Sequence, residues 1–214
     1  MTLQVFDSER RIVAEEFLLR IPGWTWERYL AEARETQICE YEHGELIVHS
    51  PAKRPHQEEV GFLTYLLRGM CSRRGLGRVY NGPSVLRVSG DVGRDPDIFV
   101  VSAAEAPRVL RQEDYIDTVP VLIVEVMSKS TRALDLVTKA QEYAALGAPE
   151  YWAVDLERKL VVVHRLRTGR YEVTTIGSGR LESSSLPGFW IVVEWLWQVP
   201  PPPDHECPER IEQG

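Results

Sequence analysis

Two acidic residues lie in segments of the sequence that otherwise have the composition of buried strands. Glu125 stands in the middle of the apolar run 121–127, and Asp97 stands at the entrance of a second apolar run, 98–101. A buried carboxylate without a partner is costly, so each should be held by a cation, a metal ion or a hydrogen-bond network. Lys139, downstream, could bring an ammonium group toward the same ends of the sheet. These three residues are the candidates for a metal site.

Each of the three residues also has a structural interpretation. Asp97 follows Pro96 and could cap that turn by accepting hydrogen bonds from nearby backbone. Glu125 could form a salt bridge with an arginine in the core. Lys139 comes four residues after Asp135, which is the favourable order for an acid–base pair on a helical surface. Taken one at a time these alternatives stay open, and the catalytic interpretation depends on the three residues occurring together.

The elements that must position these residues are predicted from periodicity and turn signals. Thr25 is the predicted N-cap of a short helix over 25–36. A hairpin follows, with strands at 39–42 and 45–49 around the turn pair His43-Gly44. Apolar residues at helical spacing then predict a long helix over 56–73, which glycines at 75 and 77 end.

Strands are predicted after the long helix at 79–88, 97–101, 120–127, 150–155, 159–166 and 170–176. A turn signal at 81–83 interrupts the first of them. A helix over 131–147, which carries Lys139, separates the third strand from the fourth. The chain order is therefore helix, three strands, helix, strands.

Length and composition favour one domain over residues 1–199. A chain of 214 residues with 43% hydrophobic content can bury a substantial core, and the proline-rich, acidic segment 200–214 is expected to be a mobile tail. The longest apolar runs have strand length, and no signal peptide is indicated, so we expect no membrane contact and a cytoplasmic location. Three widely spaced cysteines without a CxxC pattern are expected to be ordinary thiols.

The charge distribution leaves room for a phosphate-bearing partner. The formal net charge is −7, which counts against indiscriminate binding to a polyanion. Residues 53–94 nevertheless carry eight basic and three acidic side chains, a local charge of +5. This basic stretch could receive phosphates, or its arginines could simply solvate one helix and the flanking loop.

The order of these motifs resembles a known family. The matching positions are residues 39–46, His56-Gln57, Asp95-Pro96-Asp97, 124–128, Asp135, Lys139, Tyr143, 150–155 and 186–189. Together they are similar to the bacterial family of "putative restriction endonucleases" within the PD-(D/E)XK nuclease superfamily. The resemblance spans roughly residues 20–197. Each motif is weak alone, and their order and spacing make the resemblance specific.

The resemblance implies a fold class and an activity. The fold would be α/β (α+β) with a restriction endonuclease-like core, a central mixed β-sheet flanked by helices in helix-strand-strand-strand-helix-strand order, with an N-terminal helix and hairpin. The activity would be a metal-dependent endonuclease that hydrolyses phosphodiester bonds in DNA. A homodimer is expected, because symmetric cleavage of a duplex calls for two sites related by a twofold axis.

The resemblance also implies roles for particular residues. Asp97 and Glu125 would hold Mg²⁺ or Mn²⁺, since hard cations prefer oxygen ligands. The superfamily usually has a lysine two residues after the second acid, where this chain has Met127. Lys139 is the candidate to replace it by orienting the attacking water, and Lys129 is the competitor.

Four further residues are possible members of the site, namely Glu45, His56, Gln141 and Tyr143. Glu45 is the first choice for a third acid, with Glu40 behind it. Two other functions remain open at this stage. One is a non-catalytic module that keeps the nuclease fold to bind nucleic acid or protein, and the other is a metal-dependent hydrolase of a smaller phosphoester.

Overall fold

The computed structural model describes residues 17–33, 39–203 and 206–207. The helices of this part of the chain are α1 (Trp26–Arg28), α2 (Arg54–Arg74), α3 (Ala106–Val109) and α4 (Ala140–Leu146). π-Helical turns at Tyr29–Ala33 and Leu134–Lys139 follow α1 and precede α4, and Val193–Trp197 forms a 3₁₀ helix. The strands are β1 (Leu18–Pro22), β2 (Cys39–Glu42), β3 (Glu45–His49), β4 (Gly77–Asn81), β5 (Leu86–Ser89), β6 (Val92–Arg94), β7 (Ile98–Ser102), β8 (Leu122–Val126), β9 (Glu150–Asp155), β10 (Leu160–Arg167), β11 (Arg170–Ile176), β12 (Arg180–Glu182) and β13 (Trp190–Val192).

The central sheet has six strands in the order β11-β10-β9-β8-β7-β4. It is mixed, because β8 and β9 run parallel while the neighbouring pairs β7–β8 and β9–β10 are antiparallel. Along the chain, α2 precedes β4, β7 and β8, and α4 stands between β8 and β9. The predicted α+β fold with a helix-strand-strand-strand-helix-strand order is therefore confirmed.

Both faces of the central strands are buried, as their apolar composition predicts. Ile98 and Val124 face a core cluster that also contains Phe62 and Leu63 of α2. Residues of opposite parity on the same strands, such as Ile123, belong to a second cluster with Ala140 and Tyr143 of α4. Because side chains alternate along a strand, Glu125 shares the face of Ile123 and points to the α4 side of the sheet.

A second sheet, in the order β1-β3-β2-β6-β5, packs around the N-terminal hairpin. The hairpin turn is confirmed: β2 and β3 pair from Cys39↔Val48 to Glu42↔Glu45, and His43 and Gly44 have positive φ values of 49° and 84°. The single interrupted strand predicted over 79–88 is wrong. β4 pairs with β7 in the central sheet, whereas β5 pairs with β6 in the hairpin sheet, so the turn after β4 carries the chain from one sheet to the other.

The helix signals are largely confirmed. Thr25 caps α1, since its Oγ1 accepts a hydrogen bond of 3.2 Å from the backbone nitrogen of Arg28. The α-helical part is short and continues as a π-helical turn, and residues 34–36 of the predicted helix lie outside the described residues. α2 starts two residues earlier than predicted, at Arg54, and Gly75 ends it with a φ of 64°.

The end of the chain is described only in part. Cys207 is fully buried and belongs to the core cluster on the α2 side of the sheet, while residues 204–205 and 208–214 lie outside the described residues. The mobile tail and the domain limits stay predictions. Cys39, Cys71 and Cys207 are buried thiols, as expected. In the part of the chain that the structure describes, no helix has the length and hydropathy needed to cross a membrane.

Glu59 is a buried acid on the core side of α2, and it leads to a prediction about stability. Its side chain is among the buried residues of the helix, and within the described residues its Oε1 has no hydrogen-bond partner. Burial raises the pKa of Glu59 to about 8. An acid whose pKa is raised on folding binds its proton more tightly in the native state than in the unfolded state. The native state is therefore progressively destabilised as the pH rises from the ordinary pKa toward 8.

We expect Glu59→Gln to be more stable than the wild type at neutral pH, because glutamine is never charged. Its advantage in the free energy of unfolding should grow by about 3 kcal/mol between pH 5 and pH 7.5. Urea denaturation of both proteins across this pH range measures the difference. Glu58→Gln is the control, since Glu58 is exposed and pairs with Arg54. A constant difference between Glu59→Gln and wild type at all pH values would contradict the prediction.

Candidate functional site

The register of β7 against β8 brings Asp97 and Glu125 together. Ile98 pairs with Val124, so the next pair along these antiparallel strands is Asp97 with Glu125, and their side chains project from the same face. The backbone nitrogen of Val126 donates to Asp97 Oδ2 at 2.7 Å, and that of Asp97 donates to Glu125 Oε2 at 3.3 Å. Backbone amides at the adjoining ends of β7 and β8 thus hold both carboxylates in place.

Lys139 reaches this pair from the π-helical turn before α4. Its Nζ lies 2.9 Å from Glu125 Oε1, 2.9 Å from Glu40 Oε1 and 3.4 Å from Asp135 Oδ1. The side chain is only 4% exposed. Burial alone would lower the pKa of Lys139, but the three carboxylates raise it well above its usual range. The amine therefore stays an ammonium ion.

The acids around Lys139 carry more negative charge than one ammonium ion can balance. Burial, together with the nearby Asp97, Asp135 and Glu40, raises the pKa of Glu125 to about 8 against the opposing effect of Lys139. Tyr143 donates its hydroxyl to Glu125 Oε1 at 2.8 Å. Clustered carboxylates of this kind are what a divalent cation neutralises.

Glu40, on β2, joins this cluster to a second group of charges. Its Oε2 lies 3.2 Å from Arg94 Nη1 and 3.2 Å from His49 Nε2. Burial alone would raise the pKa of Glu40, but Lys139 and Arg94 hold it well below its usual range, so this carboxylate is ionised. It therefore connects the lysine of the site to a buried arginine.

Arg94 is fully buried and bound by three acids. Besides Glu40, its guanidinium donates to Glu142 at 2.8 and 2.6 Å and to Glu42 at 2.8 Å. Glu142 belongs to α4 and Glu42 to the hairpin, so one side chain ties both elements to the strand that leads into Asp97. The arginine is a structural support beneath the acids of the site.

These acids open into a cavity of about 320 Å³. Asp97, Glu125 and Lys139 lie in its wall together with His56, whose Nε2 is 3.2 Å from Asp97 Oδ2. The remaining wall includes the hydroxyl groups of Ser128, Ser130 and Thr131 and the basic side chains of Lys53, Lys129 and Arg132. A phosphate group entering this cavity would meet carboxylates, cations and hydroxyl groups in its wall.

The predicted site residues separate into two groups. Asp97, Glu125, Lys139 and His56 line the cavity, and Tyr143 supports Glu125 from the core. Gln141 is exposed on α4 and lies outside the cavity wall. Lys129 is 72% exposed and pairs with Glu157 at 3.3 Å, so among the two candidate lysines it is Lys139 that contacts Glu125.

The first choice for a third acid does not reach the cavity. Glu45 pairs with Arg20 at 2.9 Å on the hairpin surface, whereas Glu40, the second choice, lies in the cavity wall and contacts Lys139. Glu45 lies on β3 next to the turn and pairs with Glu42 on β2. Glu40 lies on β2 two residues further from the turn than Glu42, so only Glu40 reaches the site.

The structural alternatives for the three candidates are partly correct. Asp97 accepts a hydrogen bond from a backbone amide, but it is that of Val126 on β8 and not one in the turn at Pro96. Glu125 is paired with Lys139 rather than with a core arginine. The Asp135–Lys139 pair exists, but both side chains are buried, so it is not a helical surface pair. None of these three results removes the carboxylates from the cavity.

The donor set fits a hard cation bound by few protein ligands. Within the described residues no group of three or more His, Cys, Asp or Glu side chains is placed to hold a metal ion. Asp97 and Glu125 supply two adjacent carboxylates, and within the described residues the contacts of Asp97 with Val126 and His56 both use Oδ2 and leave Oδ1 without a hydrogen bond. Mg²⁺ commonly binds through one or two carboxylates and completes its shell with water and substrate phosphate.

Sequence reasoning missed Arg94 as a member of this region. In the sequence Arg94 belongs to the basic stretch 53–94 that could receive phosphates, whereas in the structure its side chain is fully buried. A signal was present, because Arg94 directly precedes the Asp95-Pro96-Asp97 motif, but its partners come from positions about 50 residues away in either direction.

Two comparisons with known proteins bear on this arrangement. The family model Uma2, described as "Putative restriction endonuclease", matches residues 26–194. The fold is similar to the crystal structure of a "putative nuclease belonging to DUF820" from Anabaena variabilis ATCC 29413, with a TM-score of 0.68 and 17% identity, covering 81% of this chain and 97% of that one. No curated protein matches the sequence.

Proposed function

The chain belongs to the Uma2 family of "putative restriction endonucleases", and from this premise we propose that it is a metal-dependent endonuclease that hydrolyses phosphodiester bonds in DNA. One observation carries the proposal: Asp97 and Glu125 lie side by side in the wall of a cavity, with Lys139 Nζ 2.9 Å from Glu125. The proposal includes a homodimer, since cutting both strands symmetrically needs two sites.

Asp97 and Glu125 are the proposed ligands of Mg²⁺ or Mn²⁺. The bound ion would lower the pKa of a coordinated water and neutralise charge developing on the phosphate. The chain's own contribution is to hold the two carboxylates in place, through the amides of Val126 and Asp97 and through Lys139 and Tyr143. His56 adds a further contact to Asp97 at 3.2 Å.

Lys139 has a positioning and electrostatic role in this proposal. Its raised pKa excludes it as a general base at neutral pH, because a base must release its proton. Its Nζ lies 2.9 Å from oxygens of both Glu125 and Glu40 and 3.4 Å from Asp135 Oδ1, which accepts no hydrogen bond within the described residues. An N–H group directed toward Asp135 can therefore turn to a water or a phosphate oxygen without breaking a short hydrogen bond.

The test of the function compares cleavage and metal binding in the same proteins. We expect the purified wild type to nick supercoiled plasmid with Mg²⁺ or Mn²⁺ and to do nothing in EDTA. Asp97→Asn should lose nicking by at least a hundredfold and should bind Mn²⁺ more weakly in calorimetric titration, since an amide cannot replace a charged ligand. Its melting temperature should change little or rise, because one of the crowded carboxylates is neutralised.

Glu45→Gln is the matched control, because Glu45 is a hairpin acid that pairs with Arg20 outside the cavity. It should keep both nicking and Mn²⁺ binding. Loss of metal binding in Glu45→Gln but not in Asp97→Asn would move the metal site to the hairpin. If Mn²⁺ binds and plasmid is untouched while bis(p-nitrophenyl) phosphate is hydrolysed, and long DNA does not compete, the substrate is a smaller phosphoester.

A further inference from the structure

A second groove runs along the exposed side of α2, with a volume of about 660 Å³. We call it the α2 groove. Its wall includes Gln57, Thr64, Tyr65, Arg68, Arg73 and Asn81. Gln57, Tyr65, Arg68 and Arg73 are exposed residues of α2, Thr64 is buried beside Leu63, and Asn81 comes from the neighbouring β4.

The α2 groove starts where the cavity of the candidate site ends. Gln57 lines both, and its neighbours Pro55 and His56 line the cavity. From Gln57 to Arg73 the helix rises by about 24 Å at 1.5 Å per residue. A chain-like ligand with its reacting group beside Asp97 can therefore continue along α2 without leaving the surface.

The charge of the groove is opposite to that of the protein as a whole. Two exposed arginines, Arg68 and Arg73, lie in its wall, and among the described residues no acidic side chain lines it. The net charge of the chain is −7. Arg68 Nη2 donates to Asn81 Oδ1 at 2.7 Å, which holds the guanidinium over the groove and uses only one of its five N–H groups.

An aromatic side chain in the groove also suits a nucleic acid. Tyr65 is 45% exposed, and among the described residues its ring makes no stacking contact. The ring can therefore stack on a base of a bound strand.

We propose that the α2 groove binds one strand of the DNA substrate beyond the cleavage position, with its phosphates at Arg68 and Arg73 and a base on Tyr65. This inference rests on the proposed nuclease function and names where the substrate lies. It also assigns different roles to the arginines of the basic stretch 53–94. Arg94 is buried among acids, while Arg68 and Arg73 are the members that face a groove.

The test measures DNA binding by the full-length protein in EDTA, where cleavage is excluded. A fluorescein-labelled single strand of about 20 nucleotides and the matching duplex are titrated and followed by anisotropy at several salt concentrations. We expect Arg68→Ala/Arg73→Ala to weaken binding at least tenfold and to reduce the slope of log K against log salt by roughly 1.4 to 1.8, the value for two lost phosphate contacts. Tyr65→Ala should weaken binding of the single strand without changing the slope.

Arg167→Ala/Arg170→Ala is the matched control, since it removes two exposed arginines on the β10–β11 edge, opposite the β4 edge of the same sheet. It should bind like the wild type. Equal DNA binding by both double variants, or no DNA binding by the wild type, would contradict the proposal that the α2 groove binds DNA.

Hydrolysis of bis(p-nitrophenyl) phosphate, which is too short to reach Arg68, should be unchanged in Arg68→Ala/Arg73→Ala. If the wild type cuts plasmid while Arg68→Ala/Arg73→Ala binds DNA normally, the proposal that the α2 groove binds DNA is refuted and the nuclease function is not. If the wild type binds DNA through the α2 groove and hydrolyses no phosphoester, the proposed nuclease function is refuted, while DNA binding by the groove is supported.

Discussion

Lys139→Met is expected to lower plasmid cleavage by at least a hundredfold at saturating Mg²⁺, while Lys129→Met cleaves like the wild type. Removing one preorganised electrostatic group from a reaction of this type commonly costs two to three orders of magnitude. Lys139 contacts Glu125 at 2.9 Å and is 4% exposed, whereas Lys129 is 72% exposed and pairs with Glu157. Methionine keeps most of the length of lysine and removes the charge, so packing is disturbed little.

The same change should also destabilise the metal-free protein. Glu125, Glu40 and Asp135 all lose their shared ammonium ion, and buried carboxylates without a counter-charge are costly. We expect a loss of about 3 kcal/mol in the free energy of unfolding in EDTA. Cleavage is therefore compared at a temperature where circular dichroism shows both variants folded. Full activity in Lys139→Met and none in Lys129→Met would transfer the catalytic role to Lys129.

The pair at the centre of the site was predictable because sequence and sheet geometry agree there. Asp97 and Glu125 interrupt apolar runs that form β7 and β8, and two acids at such positions already indicated a common site. Their closeness follows from the register Ile98↔Val124, which no local pattern encodes. The predicted helix over 131–147 already brings Lys139 toward the same ends of the sheet, and the resemblance to the family favours it over Lys129. Its spacing alone favours a surface pair with Asp135.

The residues that sequence reasoning misplaced depend on contacts between distant segments. Glu40, Glu42 and Glu45 are three acids on one hairpin, and their environments are set by Arg94 and Arg20, which come from other strands. In the same way, the division of 79–88 between two sheets is decided by the partners β7 and β6. Strand propensity is the same for either pairing, so the sequence alone could not separate them.

The largest change in stability is expected from Arg94→Met. Arg94 is fully buried, and its guanidinium contacts Glu40, Glu42 and Glu142 at 2.6 to 3.2 Å. Removing one partner from a buried ionic cluster typically costs 3–5 kcal/mol, because the remaining charges stay buried and uncompensated. Three carboxylates lose this partner, of which Glu40 keeps Lys139 and Glu42 keeps Arg20. We therefore expect a loss of about 4 kcal/mol in the free energy of unfolding, measured by urea denaturation at neutral pH.

Arg20→Met separates this effect from the general loss of an arginine. Arg20 also contacts Glu42, at 3.2 Å, but its side chain is 41% exposed. Exposed pairs contribute about 0–1 kcal/mol, so this variant should differ little from the wild type.

If Arg94→Met fails to fold, Arg94→Met/Glu142→Met provides a second measurement. Removing one of the orphaned acids together with the arginine should recover part of the stability, because Glu142 makes two of the four short contacts of Arg94.

Recovery in that double variant would show that Arg94 acts by compensating buried charge and not by its volume. No recovery, together with an equal loss in Arg20→Met, would contradict this role.

The loss of Arg94 also has a direct consequence for the site, because Glu40 is held by Arg94 on one oxygen and by Lys139 on the other. Without Arg94, Lys139 remains the strong counter-charge of Glu40 and is drawn away from Glu125. A folded Arg94→Met protein should therefore also cleave plasmid more slowly, although Arg94 lies outside the cavity wall.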